Sequence, residues 1–151
     1  SKQYVQHNKT IKKPSNPKRS KYTFAGWYTD SKLTKAWDFN TKIKSGKTLY
    51  AKWKKISLKQ AVISKVQNVS GKKIKVTVKK VSGADGYQIQ YSTKSNMKSA
   101  KTVTSSKTTT TISKLSKGKK YYVRVKAYKK DSTGKKVAGK WSKVKNFKVS
   151  K

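Results

Sequence analysis

Few side chains in this 151-residue sequence can do acid–base, nucleophilic or metal chemistry. There is one histidine, His7, four aspartates (Asp30, Asp38, Asp85 and Asp131), no glutamate and no cysteine. Without cysteine there is no disulfide, no thiolate metal site and no thiol nucleophile. A general acid–base pair needs two groups converging on one substrate atom, and His7 sits in a polar N-terminal stretch with no carboxylate near it in sequence. A calcium site needs several oxygen ligands, usually clustered carboxylates, yet the two closest aspartates, Asp30 and Asp38, are eight positions apart. Asp30 and Asp38 read as turn residues of the Asx type; Asp85 and Asp131 fall in turn-rich segments between apolar runs. The glycine-containing turns lack the spacings that cradle phosphate. No catalytic residue, cofactor or metal is implied.

What remains is positive charge. Lysine and arginine number 41 against 4 acids, a formal charge of +37, and only Arg19 and Arg124 are arginine. Arginine offers a planar fork for bidentate recognition, whereas lysine is a compact hydrated charge. Such a surface suits diffuse attraction to a polyanion better than the reading of a base sequence. The candidate polyanion-binding residues are Lys72, Lys73, Lys75, Lys79, Lys80, Lys119, Lys120, Arg124, Lys126, Lys129, Lys130, Lys135 and Lys136. At physiological salt the Debye length is about 8 Å, so only a partner lying along the surface feels several charges together. Anionic cell-wall polymer (teichoic acid), acidic glycan and, non-specifically, nucleic acid meet that condition. The competing reading is a solvated coat that keeps the chain apart from its neighbours.

The elements that must carry these residues are strands. An apolar fraction of 32% is low, but 4 Trp, 9 Tyr and 3 Phe argue against a disordered tail. From Ile74 onward apolar residues alternate with polar ones, the period of half-buried strands. Ile74, Val76 and Val78 share one face; Tyr87, Ile89 and Tyr91 another; Tyr121, Val123, Val125 and Ala127 a third. Weaker candidates are 61–66, 101–104, 109–112 and 141–149, with turn signals at Ser70-Gly71, 82–86, Lys117-Gly118 and 132–134. Seven short strands over this span predict an antiparallel sandwich. Tyr122 and Tyr128 alternate outward with Arg124 and Lys126, which is read either as a basic-aromatic strip or as cross-strand packing among neighbours. No apolar run approaches the ~20 residues of a membrane span.

Two families are resembled. Leu115, Gly118, Tyr121, Val123 and Val125 have the L-x-x-G-x-x-Y-x-V-x-V spacing of fibronectin type III domains. Gly83-Ala84-Asp85-Gly86-Tyr87-Gln88-Ile89-Gln90-Tyr91 is similar to the strand C entry of bacterial members, and Gly139-Lys140-Trp141-Ser142 to their final strand. The resemblance implies a tyrosine corner at Tyr121, bonded back to the backbone. It also places Val78 where many members carry a core Trp, and 129–136 in the F–G loop, which lacks the Arg-Gly-Asp tripeptide of adhesive members. Upstream, Tyr22-Thr23-Phe24-Ala25-Gly26-Trp27-Tyr28, then Trp37-Asp38-Phe39-Asn40-Thr41, then Leu49-Tyr50-Ala51-Lys52-Trp53 resemble the Listeria–Bacteroides (internalin B-type) repeat. Phe24, Trp27, Trp37, Phe39, Tyr50 and Trp53 are then its expected core. Lys21 stands where that family usually has glycine, and the family's opening strand is missing.

The expected fold class is all-β: a small β-grasp-like repeat module at 1–54, lacking its first strand, followed by a seven-stranded fibronectin type III-like sandwich at 55–151. The resemblance implies an extracellular setting on a Gram-positive-type bacterium, with upstream domains of a parent chain. The expected function is a non-catalytic attachment and spacer region that binds anionic polymer by diffuse lysine electrostatics. The alternative is a purely structural spacer presenting an upstream enzyme or adhesin, with no ligand of its own.

Overall fold

The computed structural model describes residues 2–150. It divides into two units: Ser1–Ile56 with Asp131–Lys135, and Ser57–Lys130 with Lys136–Lys151. Among the described residues all regular structure is strand.

The first unit holds β1 (Tyr22–Tyr28) and β2 (Tyr50–Lys55), an antiparallel pair. Alternation alone would send Phe24 and Trp27, three apart, to opposite faces. A register shift between Phe24 and Gly26 inserts one residue and brings them to the same face. Gly26 takes φ +121°, a conformation open to glycine. Phe24 then meets Trp27 edge-on at 5.3 Å and Trp53, its cross-strand partner, at 5.6 Å. The expected aromatic core is shallow: Phe24, Trp27, Trp37, Phe39 and Trp53 are half-buried, and Tyr50 is exposed. Residues 10 and 42, and 28 and 36, are joined by isolated antiparallel bridges.

The second unit is a sandwich. Its strands are β3 (Ile63–Val69), β4 (Lys73–Val78), β5 (Gly86–Ser92), β6 (Lys101–Ser105), β7 (Thr109–Ile112), β8 (Lys120–Lys130), β9 (Lys136–Ala138) and β10 (Lys145–Lys148). One sheet runs β3-β4-β7; the other runs β10-β8-β5-β6, with β9 also paired to β8. The alternation expected from the sequence is realised: Ile74, Val76, Val78, Tyr87, Ile89, Val123, Val125 and Ala127 are buried in one core with Ile112, Leu115 and Val149. The tyrosine corner forms as the resemblance implied. Tyr121 is buried, and the Ser116 N–H donates to its hydroxyl at 3.1 Å. A second phenol, Tyr87, accepts the buried Val81 N–H at 2.9 Å.

The count is eight strands against the seven expected because the final strand is split. Residues 139–144 stand opposite 124–127 of β8, so the ladder breaks between β9 and β10. Ser142 closes the gap from both sides. Its N–H donates to the Val125 carbonyl at 2.7 Å, and its hydroxyl accepts the Val125 N–H at 3.0 Å. Buried backbone groups that lose their strand partner need such a substitute.

Candidate functional site

The four carboxylates are spent on loops. Asp30 accepts the backbone N–H groups of Thr34 and Lys35 and the Thr34 hydroxyl. Asp38 accepts the Asn40 N–H at 2.9 Å, the Asx turn expected of it. Asp85 accepts the Lys130 N–H at 2.7 Å and pairs with the Lys129 ammonium at 3.3 Å. The Lys130 N–H, with the Lys129 ammonium, holds Asp85 below the ordinary carboxylate range. Asp30 is likewise held low, by the Lys35 N–H first and then by the Thr34 N–H and hydroxyl. Among the described residues no three His, Cys, Asp or Glu side chains converge on a metal position.

Asp131 is the most heavily bonded. Within the first unit its Oδ1 accepts the Thr133 hydroxyl at 2.6 Å and the N–H groups of Thr133 and Lys135, and its Oδ2 accepts the Lys21 N–H at 2.8 Å. The Thr133 hydroxyl, followed by the Lys21 N–H, lowers its pKa from 3.8 to about 2. A pKa depressed on folding gives stability that is complete above the unfolded value and lost as pH falls through the folded one. Melting temperature should therefore drop between about pH 4 and pH 2. An Asp131→Asn variant should show a flatter acid profile; an unchanged profile would remove Asp131 as the cause.

The thirteen candidate basic residues do not form one site. Strand alternation places Lys120, Arg124, Lys126 and Lys130 on the outer face of β8, since 121, 123, 125 and 127 are buried. Lys136, paired with Lys130, joins that face. Lys73 and Lys75 lie on the outer face of β4, on the other sheet of the sandwich, and Lys79 and Lys80 follow that strand. Lys72 and Lys119 lie in turns, Lys129 is paired with Asp85, and Lys135 belongs to the first unit. Residue type names the cations but not their sorting; the even-numbered alternation that placed Arg124 and Lys126 outward extends to Lys120 and Lys130 and sorts them too.

The predicted basic-aromatic strip on β8 exists, with one correction and one addition. Tyr128 is buried, because its cross-strand partner is Gly86 and the ring lies across the space that glycine leaves empty. The addition is Trp141, half-buried, with the Arg124 guanidinium 4.5 Å and the Lys126 ammonium 4.4 Å from its ring centre. Arg124 also donates from Nε to the Gln90 side-chain carbonyl at 2.9 Å. Lys120 lies over Tyr122 and Lys136 over Tyr128. In the first unit an open groove of about 660 Å³ is lined by Trp27, Ile11, Ile43, Leu49, His7 and several lysines, with no acid. It offers no acid–base pair.

Residues 63–140 match the family model of the fibronectin type III domain, and residues 1–52 match that of the Listeria-Bacteroides repeat domain. The chain is similar to the chicken CNTN1 FN1-FN3 domains (20% identity, TM-score 0.53, covering 69% of this chain and 35% of that one). It is also similar to the sixth fibronectin type III domain of human fibronectin type III domain containing protein 3 (19% identity, TM-score 0.51, covering 64% of this chain and 90% of that one). At these identities the likeness shows the fold alone. Two provisionally named proteins of Evansella cellulosilytica match over 50 residues, 32% of this chain: a Gly-rich membrane protein at 46% identity and a membrane protein at 42%. The chain spans only 6% and 8% of their lengths.

Proposed function

The chain belongs to the fibronectin type III family, and on that premise we propose that it is a non-catalytic attachment and spacer region, held to anionic polymer by the pooled field of its lysines. Its setting is the cell surface or the secreted space, in keeping with the Listeria-Bacteroides repeat and the membrane-protein names of its relatives. The proposal narrows that setting to the wall of a Gram-positive-type bacterium, where teichoic acid is the abundant polyanion. The module boundary near residue 54 belongs to the same proposal.

One observation carries the reading: none of the ten strands contains an acid. All four carboxylates sit in loops and accept backbone N–H groups there. Apart from Lys129 and Lys130, which lie against Asp85, the field of the strand lysines is not cancelled by neighbours, and among the described residues Lys129–Asp85 is the only ion pair. A coat that served solubility alone would gain from interspersed signs.

Titration of the chain against teichoic acid, heparin and duplex DNA at low and physiological salt tests this. Binding is expected for all three, to fall steeply with salt, and to persist near 150 mM for at least one. For duplex DNA the logarithmic salt slope should approach −0.9 per neutralised phosphate. Absence of binding at physiological salt would leave a spacer with no ligand of its own.

A further inference from the structure

We propose that the attachment reading, on which this inference rests, has a preferred contact line: the outer face of β8, taking a linear phosphodiester polymer whose repeats carry charge but no ring. The strand runs for eleven residues and presents Lys120, Arg124, Lys126 and Lys130 on one side. Register places Lys148 of β10 beside Lys120, and Lys136 of β9 beside Lys130, so cations double at both ends. No strand of this five-stranded sheet contains an acid, and the strand residues opposite the middle of the line are Gln88 and Gln90. Asp85, whose carboxylate lies at the Lys130 end, is engaged by the Lys130 N–H and the Lys129 ammonium. Arg124 and Lys126 are alternate residues about 7 Å apart, within the Debye length of about 8 Å, while Lys120 and Lys130 stand four positions further along on either side, about 14 Å away. A chain lying along β8 meets a central pair and then a doubled cation at each end. The outer face of the three-stranded sheet is poorer: its strands present only Lys65, Lys73 and Lys75, spread over β3 and β4.

The rings choose the ligand class. Stacking on a base or a sugar requires an uncovered aromatic face. On this sheet Tyr128 is buried beneath Lys136, and Tyr122 and Trp141 are half-buried beneath Lys120 and the Arg124–Lys126 pair. The rings hold the cations in place, and recognition falls to the charges. A polyol phosphate chain, with phosphates joined by short flexible linkers, satisfies every contact the face offers. Single-stranded nucleic acid and sulfated glycan leave their rings unused.

The test compares two variants of equal charge loss. Lys120→Gln, Lys126→Gln, Lys130→Gln and Lys136→Gln together remove four of the line's cations; Lys65→Gln, Lys73→Gln, Lys75→Gln and Lys79→Gln remove four on and just after the other sheet. With poly(glycerol phosphate) as probe, the first set should weaken binding at least about tenfold and the second less than about threefold. Heparin and single-stranded DNA should be bound more weakly than the polyol phosphate at equal charge concentration. Should the first variant melt early, lysine acetylation of the wild-type chain with and without the probe gives the same answer: residues 120, 126, 130 and 136 protected, 73 and 75 not. Equal losses in the two variants, or uniform protection, would overturn the preferred line while leaving diffuse attachment standing. Tighter binding of heparin or single-stranded DNA would overturn the ligand class. No binding of any polyanion would sink the attachment reading itself.

Discussion

Gly86→Ala is expected to cost the sandwich about 2–3 kcal/mol, the upper part of the range for overpacking a well-filled site. A β-carbon at Gly86 would lie 2.6 Å from the Ser105 carbonyl oxygen, 2.8 Å from the Tyr128 hydroxyl and 3.0 Å from the Tyr128 ring. The hydroxyl end of a tyrosine can swing aside; the Ser105 carbonyl cannot do so without disturbing the β5–β6 ladder, in which Tyr87 pairs with Ser105. Tyr128 is buried, so moving its ring also opens core. The expected drop in melting temperature is roughly 10–20 °C for a domain of this size. Gly83→Ala is the control. It has open space around the added carbon but φ +74°, and isolates backbone strain of about 1 kcal/mol. If Gly86→Ala melts within a degree or two of the parent chain, the ring and carbonyl yield freely and the packing account of β5 against β8 is wrong.

That glycine also marks where sequence reading stops. The alternation of Ile74, Val76 and Val78, and of Tyr121 through Ala127, announces a strand face because the period of a strand is two and the core accepts only one side. The role of the Tyr121 phenol is legible through the family resemblance that its spacing to Leu115 and Gly118 carries. Tyr128 was not legible, since outward alternation and burial conflict until Gly86 is known to lie opposite. β9 escaped because only Val137, between Lys136 and Ala138, has a large apolar side chain, too short a pattern to show a period. Lys21 is the reverse case: it occupies a position where the resembling family has glycine, and its φ is +66°. The family's glycine was a backbone requirement, and this chain meets it with a lysine whose N–H is held by Asp131. For the candidate site, charge and residue type were readable, whereas direction was not. Lys129 and Lys130 are neighbours in sequence, yet the first pairs with Asp85 and the second faces outward, a distinction set by strand register.

A fragment ending at Lys54 is expected to show no cooperative unfolding transition. Every buried apolar residue, from Ala61 to Val149, belongs to the second unit, and the first has only half-buried aromatics around its two-stranded sheet. A two-stranded ribbon is marginal in water at best, and a domain near 55 residues without a disulfide or metal has little core to spare. The first unit offsets this with Asp131–Lys135, which the cut removes. That segment supplies the carboxylate for the Lys21 N–H, the Ser132 hydroxyl for the Arg19 N–H, and the Ser132 N–H for the Tyr22 carbonyl. With the Ser132 hydroxyl also donating to the Arg19 carbonyl, four hydrogen bonds of about 1 kcal/mol each are lost, a margin comparable to what so small a core provides. Circular dichroism should record a shallow, sloping melt for 1–54 and a sigmoidal one for the whole chain. A transition in the fragment as sharp as that of the intact protein would mean the aromatic cluster suffices alone, and that Asp131–Lys135 is an ornament to the first unit and no part of its stability.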